Sequence, residues 1–452
     1  MNSNWTKVYF IGIGGIGMSA IARYYKFKGV EVSGYDRTPS PLTAQLEAEG
    51  IPVHYEDDCS RIPSEVESTL VVYTPAIPSS LGELQYVLSH GYKVLKRSQI
   101  LGEITAGQTT LAVAGTHGKT TTSTMVAHII TEAGEGCSAF LGGISRNYGT
   151  NMLMSKVPTA VVEADEYDRS FLQLHPAIAV ITAMDADHLD IYGDLEHVHE
   201  AFRQFASQVS ETLILKKGLP IDADEISARI YTYHLSDPAA DCHAENIRLD
   251  NMGSYTYDLV YPGGTITDIR VGTLGWVNIE NSIAAAAVCL CYGVDGQKVR
   301  HAIGSFQGAK RRLEVHVNRP GLTYIDDYAH HPKELSTAIS SIRDAFPGRK
   351  ITAVFQPHLF SRTRDFAPEF AEALSMTDCT ILLDIYPARE EPIPGVTSSI
   401  IYDALTCPRK ALIHKEELMD TLAKEDLDIL VTFGAGDIDR FVAPITEMLG
   451  GR

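Results

Sequence analysis

Residues 109–121, TTLAVAGTHGKTT, place a short apolar run directly against a glycine turn and a Gly-Lys-Thr triplet. An apolar run of this length bounded by glycine reads as a buried strand, and Lys119–Ala133 beyond it reads as a helix. Strand, glycine turn and helix in that order form the unit that cradles phosphates. Backbone N–H groups of Gly115, Thr116, His117, Gly118 and Thr121 can face the phosphate oxygens, Lys119 can reach the β and γ phosphates, and the Thr120 hydroxyl can hold Mg²⁺. Val113 stands where the usual pattern has its first glycine, so the loop is a variant of the P-loop. A Gly-Lys-Thr can also be a plain helix start, but the apolar strand before it favours ATP.

Working outward, GIGGIG at 12–17 follows the run VYFI and precedes a helix expected over Met18–Phe27. Gly12, Gly14, Gly15 and Gly17 complete a G-x-G-x-x-G, and Asp36 closes the next apolar run, VEVSGYD. That context points to a diphosphate at a helix N-terminus. On the other side, VVEADE at 161–166 supplies carboxylates at a strand end, with Glu163 the expected metal ligand, and AVITAMDADHLD ends in Asp185, Asp187, His188 and Asp190. Acidic strand ends following a P-loop suit a divalent metal.

Two strand–glycine–helix openings imply two separate parallel sheets. A third β/α alternation begins at Leu322: LTYIDD, a helix over 333–345, KITAVFQ, a helix over 364–375, CTILLDI and LDILVTFGAGD. Between them lie apolar strands at 158–163, 177–182 and 211–215, a β-rich part at 229–272, and helices at 278–292 and 295–305. The fold class is α/β with three domains: a Rossmann-like 1–106, a P-loop ATPase-like 107–312 and a Rossmann-like 313–452.

The chain has 452 residues, 44% of them hydrophobic and 21% charged, with 57 acidic against 38 basic residues and a formal charge of -19. Such a surface repels phosphate backbones and anionic lipid, so neither nucleic acid nor membrane is an expected partner. A phosphate-bearing ligand must be held by local dipoles and a few placed cations. No signal peptide and no apolar run of membrane-spanning length appears, so the expected location is cytoplasmic. The seven cysteines, at 59, 137, 242, 289, 291, 379 and 407, are scattered without a C-x-x-C and read as reduced thiols.

GIGGIGM, GTHGKTT, EADEYD and DADHLDIY, followed by NIEN (278–281), GAKRRLE (308–314), DDYAHHPKE (326–334) and QPHLFSRTRD (356–365), resemble the Mur ligases in this order. The motifs span most of the chain, and the ordered series is far more specific than any member. The opening GIGGIGM with the DDYAHHP and QPH segments resembles the branch that adds L-alanine to UDP-N-acetylmuramate in peptidoglycan precursor synthesis.

The resemblance implies that the first domain, through Gly12, Gly14, Gly15, Gly17 and Asp36, takes the UDP-sugar, and the second takes ATP. The last closes over both and receives the amino acid. It places metal, Mg²⁺ or Mn²⁺, on Thr120, Glu163 and His188, and the adenine near Asn278 and Asn281. Arg312 goes to the γ-phosphate. Tyr328, His330, His358 and Arg362 line the reacting end of the sugar and the amino acid. Three departures stand out. Ala183 replaces an Asn common in the family. Leu359 replaces an Arg, which shifts amino-acid binding to Arg362, on the loop before helix 364–375, or to Arg364. The helix after His188 carries Arg203 and no lysine, as suits the alanine-adding branch.

The implied chemistry activates a carboxylate as an acyl phosphate, because a carboxylate does not react with an amine at neutral pH. Positioning and charge neutralisation then carry the rate, with Lys119, Glu163, His188 and Arg312 around the phosphoryl group and His330 or a phosphate oxygen taking the amine proton. Closure of domains about joints near 107 and 312 would exclude water. A monomer or a homodimer is compatible with all of this. Three other readings compete: a recycling ligase that adds a tripeptide, a nicotinamide-dependent oxidoreductase resting on GIGGIG and Asp36, and a non-catalytic nucleotide switch. The oxidoreductase leaves the second loop and its carboxylates unexplained.

Overall fold

The computed structural model describes residues 5–186, 189–388 and 390–450. The chain divides into two compact units: Met1–Glu245 with Leu259–Thr267 and Asn281–Phe306, and Asn246–Asp258 with Asp268–Glu280 and Gln307–Arg452. No helix among the described residues is long and apolar enough to cross a membrane.

The first unit opens on a five-stranded parallel sheet in the order Val53–His54, Glu31–Tyr35, Lys7–Ile11, Thr69–Tyr73, Lys93–Lys96. The strand order reverses beside Lys7–Ile11, and the crevice outside the carboxyl ends of such strands is where α/β sheets take ligands. GIGGIG leaves Lys7–Ile11 there and leads into the helix Ile16–Phe27.

The second glycine loop leaves a strand of a separate sheet. Thr109–Ala114 lies between Ile178–Ile181 and Thr159–Ala164, with Thr212–Lys216 and Ser138–Phe140 beyond, all parallel. The helix after it, Lys119–Glu132, is buried from Thr120 to Ile130, which explains why its sequence shows no polar face. In contrast, Leu195–Ser207 is amphipathic. Asp194 caps it by accepting from the His197 N–H, and Val198, Ala201, Phe202, Phe205 and Ala206 recur at helical spacing to bury one stripe. The β-rich part resolves into Arg229–His234, Cys242–Leu249, Tyr255–Tyr261 and Gly264–Arg270, and the helix pair into Val277–Tyr292 and Gly296–Ser305.

Within the first unit, residues on both sides of position 107 share one hydrophobic core: Val8, Phe10, Tyr24, Leu101 and Ile104 pack in the same cluster as Ala112, Phe140, Met152, Phe171 and Leu174. The expected joint near 107 is therefore packed shut, because apolar area exposed by opening it would have to be hydrated again.

The second unit holds a six-stranded sheet ordered Glu314–Arg319, Leu322–Asp327, Ile429–Phe433, Ile351–Phe355, Cys379–Leu382, Arg409–Leu412. The first pair is antiparallel and the rest are parallel. One expectation fails here. The helix expected over 364–375 is two, Phe360–Asp365 and Ala367–Leu374, broken at Phe366 with a proline opening the second. Arg362 consequently sits on a short helix rather than on a loop, and Arg364, expected to open the longer helix, lies near the end of that short one.

Candidate functional site

The turn of the second glycine loop is built for close backbone approach. Gly115 has φ 132° and Gly118 φ 81°, and a Cβ on Gly115 would meet Thr182 Oγ1 at 2.2 Å and the Ala183 nitrogen at 2.8 Å. The Ala183 position serves through its backbone, since its carbonyl accepts the Thr116 N–H at 3.1 Å. The Thr116 hydroxyl in turn accepts the Asp185 N–H at 3.1 Å, and His117 Nε2 lies 3.5 Å from Asp185 Oδ2. Thr182 donates to the Ala114 carbonyl at 3.1 Å and also to the His117 carbonyl. Thr121 is buried in the first turn of the helix. Asn281, expected near the adenine, lies against the loop: its Oδ1 accepts from Thr122 at 3.4 Å and stands 2.8 Å from where a Cβ of Gly118 would be.

Lys119 folds over this turn, donating to the Gly115 carbonyl at 2.7 Å and to Glu166 Oε1 at 2.8 Å. Glu166 is almost fully buried. Burial works against the ammonium, but Glu166, Asp165 and Glu163 outweigh it and hold the Lys119 pKa above its usual value. Lys119 is thus a fixed positive charge. Glu166 escaped the sequence reading although EADEYD contains it, because nothing in the linear pattern tells which of four carboxylates turns inward.

Thr120 and Glu163 meet as expected, with Thr120 Oγ1 donating to Glu163 Oε1 at 3.2 Å. The other oxygen, Oε2, accepts from Ser123 at 3.3 Å and from the Gly142 N–H at 3.1 Å. Gly142 has no side chain where a Cβ would fall 2.1 Å from Oε1. A carboxylate and a hydroxyl beside a lysine are hard oxygen donors, and they fit Mg²⁺ or Mn²⁺. His188 and Asp187 lie outside the described residues.

In the first glycine loop, Gly12 has φ 88° and donates to the Tyr35 carbonyl at 2.8 Å. Gly14 N–H donates to Asp36 Oδ2 at 2.7 Å, and a Cβ on Gly14 would sit 2.7 Å from that oxygen. The loop therefore receives a carboxylate, the property required of an anion site. Gly15 precedes the helix and Gly17 lies in its first turn, where a Cβ would meet Arg97 Nη1 at 2.7 Å. The sequence reading missed Arg97, whose Nη2 binds Asp165 Oδ2 at 2.9 Å.

In the second unit, Arg311 and Leu313 take positive φ, 60° and 45°, a backbone that non-glycine residues adopt at a cost of about 1–3 kcal/mol each. Arg311 is tied by Asp326 at 2.8 Å and the Gly434 carbonyl at 2.7 Å, while the Leu313 N–H goes to Asp327 at 2.6 Å. These ties present Arg312 over the Tyr328 ring at 5.5 Å. Asp327 also accepts the Ala329 N–H at 2.8 Å. Burial pushes its carboxyl up to about 6 against the opposing pull of Arg312 and the two N–H groups.

Tyr328 packs edge-on to His330 at 5.1 Å, His330 lies 6.0 Å from the His358 ring, and His358 stacks on Tyr386 at 5.9 Å. The His330 pKa is held below its usual value first by burial, with Arg362 and Arg312 adding to that and Glu334 opposing. With its Nδ1–H donated to the Tyr328 carbonyl at 3.1 Å, the neutral ring carries its lone pair on Nε2. Arg364 stands apart from this group, exposed and paired with Asp365 at 2.7 Å. Asn278 donates its side-chain amide to the Leu274 carbonyl at 2.7 Å and is buried.

A P-loop whose lysine and threonine meet carboxylates of the neighbouring strand, carried beside a Rossmann-like sheet with its own glycine loop, defines a nucleotide-using α/β enzyme. Family models agree along the chain. Residues 7–109 match the Mur ligase family catalytic domain, 113–289 the Mur ligase middle domain, and 311–436 the Mur ligase glutamate ligase domain. A protein named UDP-N-acetylmuramate–L-alanine ligase from Parabacteroides distasonis is 49% identical over 98% of this chain and 97% of its own. One of the same name from Porphyromonas gingivalis is 48% identical over 98% and 99%. The crystal structure of a UDP-N-acetylmuramate–alanine ligase from Thermotoga maritima superposes with a TM-score of 0.84 at 25% identity, covering 98% of this chain and 99% of that one. The chain belongs to the Mur ligase family, and it is an enzyme of the ligase class with the family's three-domain α/β fold.

Proposed function

We propose that this enzyme joins L-alanine to the carboxylate of UDP-N-acetylmuramate, using ATP to form an acyl phosphate and releasing ADP and phosphate, as a cytoplasmic step of peptidoglycan precursor synthesis. The observation that carries the reading is the end-to-end likeness, at 49% identity, to a protein named for that reaction. Residues 1–106 would take the UDP-sugar through Gly12, Gly14, Gly15, Gly17 and Asp36. Residues 107–312 would take ATP, and 313–452 the amino acid.

In this scheme the second loop's N–H groups and Lys119 hold the phosphates, and Asn281, with Asn278 nearby in sequence, borders the adenine. Thr120 and Glu163, together with His188, would hold Mg²⁺ or Mn²⁺. When bound, the cation neutralises charge on the transferring phosphoryl group. Arg312, presented by its strained turn, is suited to the same developing charge. His330 is neutral, so it can take the proton that alanine's ammonium must lose before attacking. His358 and Tyr328 shape the pocket around it, and Arg362 supplies the cation for alanine's carboxylate, with Arg364 as the lesser candidate because it is already paired.

ADP release measured with UDP-N-acetylmuramate and each amino acid in turn tests the reading. Turnover should require the sugar nucleotide and be fastest with L-alanine. Turnover without the sugar nucleotide, or with a tripeptide in place of alanine, would overturn it.

A further inference from the structure

Arg97 opens the helix Arg97–Thr105, and its guanidinium is shared between two places. Its Nη2 prong binds Asp165 at 2.9 Å. Its Nη1 prong lies against Gly17, so near that a Cβ there would be only 2.7 Å away. Gly17 is in the first turn of the 12-residue helix that the first glycine loop feeds. A planar guanidinium presents two separate edges in a rigid fork, whereas a lysine offers a single point charge.

Two observations bear on the kind of ligand the Gly17 edge suits. The loop already receives an anion, the Asp36 carboxylate on Gly14 N–H. That same carboxylate repels a diphosphate, in a chain with a formal charge of -19, so a diphosphate needs a local cation. Arg97 has that charge and is set at the helix N-terminus. The Asp165 edge leads elsewhere. Asp165 also accepts the Tyr167 N–H at 3.1 Å, and the next residue back along this segment, Glu166, binds Lys119 at 2.8 Å. The Glu166 carbonyl is held in turn by the Tyr192 hydroxyl at 2.6 Å. One arginine therefore touches the helix start of the first loop and the acidic segment that holds the lysine of the second.

We propose that Arg97 is a further substrate-binding residue, which takes the diphosphate of the UDP-sugar and, by way of Asp165, couples that occupancy to ATP binding at Lys119. The inference rests on the function proposed above. A phosphate arriving at the Gly17 edge competes with Asp165 for the guanidinium, and a loosened Asp165 alters the field around Lys119. By linkage, the effect of UDP-sugar on ATP affinity must equal that of ATP on UDP-sugar affinity.

Calorimetric titration of UDP-N-acetylmuramate, and of the β,γ-imido analogue of ATP with and without it, tests this on the full-length protein and on R97K, R97Q and D165N. Removing a charge-assisted contact to phosphate should weaken UDP-sugar binding by roughly tenfold or more in R97Q, with R97K between it and the parent. D165N frees the guanidinium, so its UDP-sugar affinity should equal or exceed the parent's. The parent's analogue affinity should change by roughly fivefold or more when UDP-sugar is present, and this dependence should vanish in R97Q and D165N. Parent-like UDP-sugar affinity in both R97K and R97Q overturns the diphosphate contact, and an undiminished dependence in D165N overturns the coupling. A parent protein that binds no UDP-N-acetylmuramate would instead overturn the function on which the proposal stands.

Discussion

The Lys119 ammonium and the Glu166 carboxylate stabilise each other inside the second loop, and this changes what a lysine deletion tests. From sequence alone Lys119 is a point charge on the transferring phosphates rather than a core residue, and Lys119→Ala should remove activity while leaving the fold alone. In the folded chain, Lys119→Ala takes the ammonium away from the buried Glu166 carboxylate, which costs about 3–5 kcal/mol. The expected outcome is a fall in kcat on the order of 10²-fold or more together with a lower melting temperature. Adding Glu166→Gln should restore most of the melting temperature and none of the rate. Thermal melts and ADP release on the single and double variants separate the two roles. Recovery of the rate in the double variant would mean that Lys119 acts only by neutralising Glu166.

Gly142, on the segment after strand Ser138–Phe140, limits the space around Glu163. Gly142→Ala puts a methyl group 2.1 Å from the present position of Glu163 Oε1 and must push the carboxylate off Thr120. The Mg²⁺ concentration for half-maximal ADP release should rise roughly 10-fold or more, as when a group that orients a ligand is lost. An unchanged Mg²⁺ titration would remove Glu163 from the metal. A second element, the turn 308–313 held by Asp327, gives a dependence on pH. A carboxyl with a folded pKa of about 6, above its ordinary 3.8, is most favourable when protonated. Its contribution is thus complete below about pH 4, falls as pH rises to about 6 and is constant above, a change on the order of 3 kcal/mol. Melting curves of Asp327→Asn and the parent should shift in the variant's favour between pH 4.5 and pH 7.5, and parallel curves would contradict the burial of a charge there. The two glycine loops were legible because each joins an apolar strand to a helix within a dozen residues. Partners such as Gly142, Glu166 and Arg97 were not, because they come from other elements and depend on strand order. The break at Phe366 escaped for another reason: a proline can open a helix as well as end one, so the pattern over 360–375 read as one helix starting late.

At the scale of the whole molecule, the first unit carries both glycine loops on one body, and the contacts between its two sheets say how firmly. Tyr24 and Phe140 rings meet at 5.6 Å within the shared core. Asn151 is fully buried, donating to Ser19 Oγ at 3.0 Å and to the Ile16 carbonyl while Arg23 donates to its Oδ1. Gly102, on the helix Arg97–Thr105, lies so near the segment Tyr167–Gln173 that a Cβ would stand 2.5 Å from the Gln173 carbonyl. Elements that share a core and buried polar contacts open together, so the strands Lys7–Ile11 and Thr109–Ala114 belong to one cooperative unit. Native-state hydrogen exchange should then give their amides the same highest opening free energy. Gly102→Ala forces the helix away from residue 173 and loosens the packing that joins the two sheets. Overpacking of this kind costs about 1–3 kcal/mol, and it acts at the joint rather than within either sheet. In the variant, Lys7–Ile11 should therefore exchange through a lower-energy opening than Thr109–Ala114. If the two strands already exchange with distinct energies in the parent, the first sheet opens on its own, and the two glycine loops do not ride on a single rigid body.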